Sequence, residues 1–397
     1  MAQDLYKCAK CGRTYPADAR VWACKCGHYL DVQQHDPFDK DDVDSLEPSL
    51  WRYRKALHLD GSPSIYFREG RTPLLERTWD GLDLHFKVDF LMPSGSFKDR
   101  GSALMMNRLA ELGVDDVVED SSGNGGASIA AYAAAAGMRC RIFVPATTSE
   151  GKRAQVRAYG GTIVAVPGSR DDTAQAAQDA ARDTTRASFY ASHNWYPLFP
   201  EGVKTVAFEL WEDFDYHAPA AVLVPTSYGS NLLGLYRGFS QLLAAGAIDK
   251  MPQLFACQAA NCAPLHALHT TGSADITPQP TIAEGIAGRN PLRKSEMLAA
   301  LTNSAGGTVA VPEDDIAEAV MSFACSSGLF IEPTCAVALV AAKQLAAAGR
   351  LPDGPIAVIL TGNGLKTVST MMPFLMSDDA TSAQVSIAQA SNEIADA

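Results

Sequence analysis

Apolar and polar positions alternate in blocks along most of this chain. From Gly70 onward, short apolar runs that end in glycine or polar loops are followed by Ala- and Leu-rich stretches of helical character. Leu84–Phe90, Arg141–Pro145, Thr162–Val166, Ala221–Pro225 and Ile356–Leu360 have the length and composition of buried strands. One helix is expected to open in the Pro93–Gly101 run and continue through Leu112, and another to run from Ala127 to Ala136, because Gly113 and Gly137 stand where a helix usually stops. Strand and helix in alternation predict an α/β protein with parallel sheets covered by helices on both faces. Ligands of such sheets sit beyond the carboxyl ends of the strands, so the loops after the apolar runs are where chemistry is expected.

The two ends break this pattern. The first stretch holds four cysteines and then a polar run, His35–Asp44, that reads as a linker. The last residues, from Ser377 on, are Ala, Ser, Asp and Gln without periodicity, the composition of a flexible tail. At 397 residues the chain exceeds one ordinary core, taking about 100 to 200 residues per domain.

Composition narrows the function classes. Apolar residues make up 47%, yet no run approaches the ~18 that a membrane span needs. A net charge of −12 opposes a nucleic-acid partner, since that binding rests on clustered Lys and Arg. The polar N-terminus runs straight into cysteines, which predicts no export signal and a cytoplasmic place. Cys140, Cys257, Cys262, Cys325 and Cys335 are therefore expected as reduced, buried thiols.

The richest local signal is Pro93-Ser94-Gly95-Ser96-Phe97-Lys98-Asp99-Arg100-Gly101, between an expected strand and an expected helix. Ser96 is the expected N-cap, and Asp99 lies in the first turn, where negative charge suits the helix dipole. Lys98 then sits at the mouth of a loop, where burial and the dipole lower its pKa, and a lysine must be neutral to attack an aldehyde. Two further loops precede helices: Ser121-Ser122-Gly123-Asn124-Gly125-Gly126, and Thr226-Ser227-Tyr228-Gly229-Ser230-Asn231 after Pro225. Small-residue turns of this kind present backbone N–H groups to anions.

Together these runs resemble the threonine synthase-like branch of the fold-type-II pyridoxal-phosphate (PLP) enzymes. The Lys98 run matches the family's P-x-G-S-F-K-D-R-G, and Glu332-Pro333-Thr334-Cys335-Ala336 and Leu360-Thr361-Gly362-Asn363-Gly364-Leu365-Lys366 resemble E-P-x-S-A and L-T-G-H-G-L-K. The likeness spans Gly70-Arg71-Thr72-Pro73-Leu74 to Lys366. It implies a lyase of amino-acid metabolism in which Lys98 carries PLP beside Phe97. By the same likeness Ser122, Gly123, Asn124 and Gly125 hold the substrate carboxylate, with Asn124 also touching the cofactor. Ser227, Tyr228, Gly229, Ser230 and Asn231 form the phosphate cup, although the family's cup is richer in glycine. Thr361 is the neutral partner of the pyridine nitrogen, which favours elimination and replacement over transamination.

The organisation so implied is a head and linker over 1–45, a large PLP domain over 46–105 and 200–376, a small mobile domain over 106–199 and a tail over 377–397. A homodimer is the expected assembly. Cys8-x2-Cys11 and Cys24-x-Cys26 read as a zinc-ribbon-like head holding one structural Zn²⁺, with a metal-free thiol loop as the alternative.

Two branches of the family compete for the reaction. Threonine synthases convert O-phosphohomoserine and water to threonine and phosphate, and grip the phosphate with an Asn-Ser pair and an Arg just before an E-G-x-K-T segment. Here Glu201-Gly202-Val203-Lys204-Thr205 is present, but Phe199 stands at the Arg place and His193 and Asn194 at the Asn-Ser places. His193 offers a partial positive charge near neutrality, and Lys152, Arg153, Arg157, Arg289 and Arg293 are further candidate cations. Thr281-Ile282-Ala283-Glu284-Gly285-Ile286-Ala287 resembles the corresponding stretch of threonine and serine dehydratases. A dehydratase or β-replacement enzyme acting on an unphosphorylated substrate is thus the alternative.

Overall fold

The computed structural model describes residues 4–33, 35–59, 61–148 and 150–376, apart from the Lys152 side chain. The expected tail over 377–397 lies outside the described residues. At the N-terminal side, β1 (Asp4–Lys7), β2 (Thr14–Pro16) and β3 (Asp31–Val32) form a small antiparallel sheet in the order β2-β1-β3. Next comes a hairpin of β4 (Leu74–Trp79) and β5 (Leu82–Lys87), closed by Asp80 and Gly81 at φ 49° and 75°. Two left-handed residues in a two-residue loop match strand twist, and Asp-Gly is a favoured pair there.

A four-stranded parallel sheet follows, β8-β7-β6-β9, built from β6 (Asp116–Glu119), β7 (Arg139–Pro145), β8 (Thr162–Val166) and β9 (Phe189–Tyr190). The chain then adds β10 (Ala221–Pro225), β11 (Gln253–Ala259), β12 (Gly307–Val311) and β13 (Ile356–Ile359) to the hairpin. That sheet runs β12-β11-β10-β13-β5-β4, parallel except at β4–β5. The run read as Leu84–Phe90 is therefore an inner strand with an antiparallel neighbour, a partner that its own periodicity did not announce.

Strands β6, β10 and β13 are buried along their whole length, as near-continuous apolar runs must be when helices cover both faces. The Lys98–Glu111 helix is buried on almost every side and packs against the Leu198–Val203 and Asn124–Ala135 helices.

The head is not isolated from this body. Its Tyr6, Cys8, Tyr15 and Leu30 join one apolar cluster with Leu104, Ile129 and Phe199, and the Tyr6 and Tyr196 hydroxyls meet at 3.2 Å. The polar run after it is anchored too, since Phe38 is 1% exposed and stacks on Phe208 at 4.8 Å. Cys140, Cys257, Cys262 and Cys335 are buried free thiols, but Cys325 is exposed on the Glu313–Ser327 helix, a correction to its expected burial. Its neighbours made the stretch look apolar, yet its own position on the helix faces outward. No helix among the described residues is long and apolar enough to cross a membrane.

Candidate active site

A cleft of about 900 Å³ opens where the loops after β5, β6, β10 and β13 converge. Its wall includes Phe97, Lys98, Ser122, Gly123, Asn124, Gly125, His193, Ser227, Tyr228, Gly229, Ser230, Asn231 and Thr361. Of the expected binding residues among those described, Asn194 alone is absent from that wall; its backbone carbonyl accepts from Arg293 at 3.3 Å.

Lys98 is the first residue of its helix, and its Nζ points to Ser230 Oγ at 3.4 Å. Burial lowers its pKa to about 8, against the opposing pull of Glu119 and Glu332. A larger share of neutral amine is thus available near neutrality than on an exposed lysine. The expected N-cap at Ser96 is a correction. The capping position falls on Phe97 without a side-chain bond, and the buried Ser96 Oγ has no partner among the described residues. Asp99 instead accepts from the Ser94 N–H, Ser94 Oγ and Ser128 Oγ, and so fixes the loop before the helix.

The cup lies at the start of the Ser230–Ala244 helix. Gly229 has φ 91°, and a Cβ there would lie 2.1 Å from Met297 Sδ, so this turn requires glycine. Asn231 is 3% exposed, and neither atom of its amide has a partner among the described residues. An unpaired buried amide costs free energy, so a polar ligand at this helix start suits the cup, as PLP's phosphate would. Across the cleft, Cys335 Sγ accepts from the Thr361 and Gly362 N–H groups at 3.1 and 3.2 Å and meets Thr361 Oγ1 at 3.4 Å. Burial pushes the Cys335 thiol up to about 12, so it is uncharged behind Thr361. Neutral hydroxyl and neutral thiol together fit an unprotonated pyridine nitrogen.

The Ser121–Gly126 turn is held tightly. A Cβ on Gly126 would meet the Ser121 carbonyl at 2.0 Å, and one on Gly125 would meet His193 Nδ1 at 3.1 Å. His193 Nδ1 is 2.5 Å from Glu119 Oε1. Burial, then Lys98 and Arg170, holds His193 well below its usual range, while burial raises Glu119 well above the carboxylate range. The imidazole is therefore neutral, a correction to its expected partial charge, because it is desolvated beside two cations. Phe199 is fully buried. Its ring lies where a Cβ on Gly101 would be, 2.6 Å away, and its centroid is 5.8 Å from Lys98 Nζ.

Several cleft residues had no role expected from the sequence. Glu332 accepts from Asn124 Nδ2 at 3.0 and 3.1 Å, and burial raises it to about 7 despite that bond. Lys366 donates to the Ser94 carbonyl and Gln155 Oε1, both at 2.6 Å, which ties the Lys98 loop to the Glu150–Ala158 helix. Arg170 pairs with Asp120 at 2.5 Å. Glu332 and Lys366 stood inside quoted motifs, and that was the available signal. Nothing in the sequence marked Glu119 or Arg170.

In the head, one Sγ each from Cys8, Cys11, Cys24 and Cys26 lie within 4.8 Å of one another, with pairs at 3.5 and 3.6 Å. A tetrahedron of thiolates at about 2.3 Å from zinc needs sulfurs roughly 3.8 Å apart, so these thiols fit that ion. Against the upward push of burial, hydrogen bonds from the Cys26 N–H and the Tyr15 hydroxyl bring Cys24 down to about 6. His35, His58 and Glu201 also cluster. There, however, Lys204 at 2.6 Å and Arg237 at 3.0 Å already neutralise the carboxylate.

Comparison with known proteins agrees with this cleft. Residues 65–362 match the family model described as "Pyridoxal-phosphate dependent enzyme". The protein named threonine synthase from Methanocaldococcus jannaschii is 33% identical over 378 residues, covering 91% of this chain and 93% of that protein. The one of the same name from Methanosarcina acetivorans is 30% identical, covering 92% and 93%. Among solved structures, maize serine racemase superposes with a TM-score of 0.66 at 21% identity, over 86% of this chain and all of that one. The chain belongs to the pyridoxal-phosphate dependent enzyme family, within its threonine synthase-like branch.

Proposed function

We propose that this protein is a threonine synthase, converting O-phosphohomoserine and water to threonine and phosphate. The reading is carried by the lysine Lys98, lowered to about pKa 8 at the floor of the cleft, in a chain matched over nine-tenths of its length by proteins of that name. PLP bound there supplies the electron sink for the reaction. The protein's own parts are assigned as follows. Lys98 holds the cofactor and moves protons at its Nζ. The cup from Ser227 to Asn231 binds the cofactor phosphate, and Thr361 faces the ring nitrogen. Ser122, Gly123, Asn124 and Gly125 orient the substrate carboxylate, and His193, with Asn194 behind it, closes the wall on the substrate side. The head binds a structural Zn²⁺ through Cys8, Cys11, Cys24 and Cys26. The segment 106–199, which carries the four-stranded sheet, is the small mobile domain against a large one of 46–105 and 200–376. A homodimer and a cytoplasmic setting belong to the same reading and rest on the family resemblance.

One observation favours a second reading, a dehydratase or β-replacement enzyme. The place of the phosphate-gripping arginine is the fully buried Phe199. The two are separated by supplying the PLP-loaded protein with O-phosphohomoserine, serine and threonine and measuring threonine, phosphate and ammonia. Threonine and phosphate from O-phosphohomoserine support the synthase. Ammonia from serine or threonine, with no threonine made from O-phosphohomoserine, would replace it with the dehydratase.

A further inference from the structure

A phosphorylated substrate brings a doubly charged group into a cleft whose expected arginine is missing. Phe199 contributes no charge, and the neutral His193 contributes none either. The cations proposed from the sequence do not fill the gap. Arg153 donates to the Pro145 and Ala146 carbonyls and pairs with Glu150, and Arg157 pairs with Glu150 in the same outer turn. Arg289 lies in a separate shallow depression. Arg293 is 3% exposed and spent on the Leu30 carbonyl, Asp31, Glu296 and the Asn194 carbonyl. The Lys152 side chain lies outside the described residues.

The Lys and Arg residues on the cleft wall, among those described, are Lys98, Lys366 and Arg170. Lys98 is committed to the cofactor, and Lys366 spends two donors on Ser94 and Gln155 while facing Glu332. Arg170 is different. Its hydrogen bond among the described residues runs from Nη1 to Asp120 Oδ2, and Asp120 is itself fixed by the Tyr190 hydroxyl at 2.8 Å. A guanidinium has five donors in a rigid fork. With one donor anchored on Asp120, the rest of the fork is available to other partners. The side chain is one-third exposed, and its charge is felt at both His193 and Tyr228. It shares the cleft wall with His193, at the place of the family's Asn-Ser pair, and with Tyr228 of the expected cup.

We propose that Arg170, anchored by Asp120, is the cation that receives the substrate's phosphate group, in place of the arginine that Phe199 displaced. Arginine suits this task because its fork meets phosphate oxygens two at a time. Asp120 keeps the side chain in one orientation, so less rotamer freedom is lost on binding. The anionic Asp120 also weakens the net field, which makes the subsite one that holds a dianion and releases the product phosphate. The proposal rests on the phosphorylated-substrate reading above.

The test uses PLP-loaded protein and two ligands, the phosphonate analogue of O-phosphohomoserine and norvaline, a chain of similar length without the anion. Binding is read by calorimetry, not turnover. Arg170→Ala is expected to weaken the phosphonate by roughly 30-fold or more, the lower end of the cost of removing one partner of a charged pair. Norvaline should stay within about twofold, and Arg170→Lys should recover part of the loss as a point charge. Equal effects on both ligands, or none on either, overturn the role of Arg170 even if the parent protein makes threonine from O-phosphohomoserine. Should Arg170→Ala fail to fold, Arg170→Gln, which is shorter and uncharged but keeps an N–H donor, is read by the same criterion. A parent protein that binds norvaline but neither binds the phosphonate nor makes threonine sinks the phosphorylated-substrate reading itself.

Discussion

Lys98 and Arg100 sit two residues apart on one helix, about 200° around its axis, and they belong to opposite kinds of charged region. Arg100 is fully buried, and all its donors are used: Nε and Nη2 on Asp89, Nη1 and Nη2 on Glu209, with Thr205 and Thr72 beside them at 3.1 and 3.2 Å. Lys87 adds a second cation to Glu209 at 2.9 Å and to Asp213 at 2.7 Å. At Arg100 and Glu209 burial opposes the charge but the partners win, so that Arg100 is raised and Glu209 lowered toward their charged forms, whereas at the network's edge burial raises Asp213. On the cleft side burial wins. Lys98 is lowered, Glu332 and Glu119 are raised, and Glu119 Oε2, Ser96 Oγ and the Asn231 amide lack partners among the described residues. A saturated network holds a fold together. An unsaturated one with displaced pKa values is where a ligand completes the structure.

The sharpest way to break this contrast is to remove one member from each region. Lys98→Ala should cut turnover by at least about 10⁴-fold, since it removes both the covalent hold on the cofactor and the proton carrier. That corresponds to roughly 5 kcal/mol of barrier. Its denaturant midpoint should stay near the parent's, and steady-state rates beside a urea titration check both. Arg100→Leu should do the reverse, losing about 3–5 kcal/mol of stability because Asp89 and Glu209 are left buried without their partner. An Arg100→Leu protein as stable as the parent would show that the network is dispensable.

The head supplies an intermediate case, being a candidate ligand site built into a structural cluster. Cys24→Ser with Cys26→Ser should abolish zinc in elemental analysis and lower the thermal midpoint by roughly 5 °C or more. PLP content should be retained. The stability loss is expected because Cys8 and Cys24 share one apolar cluster with Leu104 and Phe199. Unchanged metal content would show that these thiols are not ligands.

The smallest effect is a matter of degree. Burial disfavours the ammonium form of Lys98 and so lowers its pKa to about 8. The neutral amine that captures PLP should therefore increase about tenfold per pH unit below that value and level off above it. The rate of cofactor uptake by the apoprotein, followed by absorbance, reads this directly. A rate still climbing toward the ordinary lysine range would mean that burial does not control this amine.

Much of the site was legible because its signals are local. The runs around Lys98, Ser121–Gly126, Ser227–Asn231 and Leu360–Lys366 are loops whose glycines and small residues are dictated by their own backbone, and all of them line the cleft. What stayed hidden depends on distant partners. Asn124 meets Glu332 across 208 positions of sequence, and Arg170 meets Asp120 across 50. The anchoring of the polar run after the head was hidden for the same reason, since Phe38 finds Phe208 only when the chain has closed.

The sequence by itself determined the alternation of strand and helix, the loops that bear the chemistry and the lysine at their centre. Each follows from residue periods and turn preferences that act over a few neighbours. The tertiary structure alone decided which charges brace the fold and which face the cleft. It also decided that His193 is neutral, and it placed Arg170 on the cleft wall. Charge state and exposure are set by desolvation and pairing, and these depend on atoms that the fold assembles from separate parts of the chain.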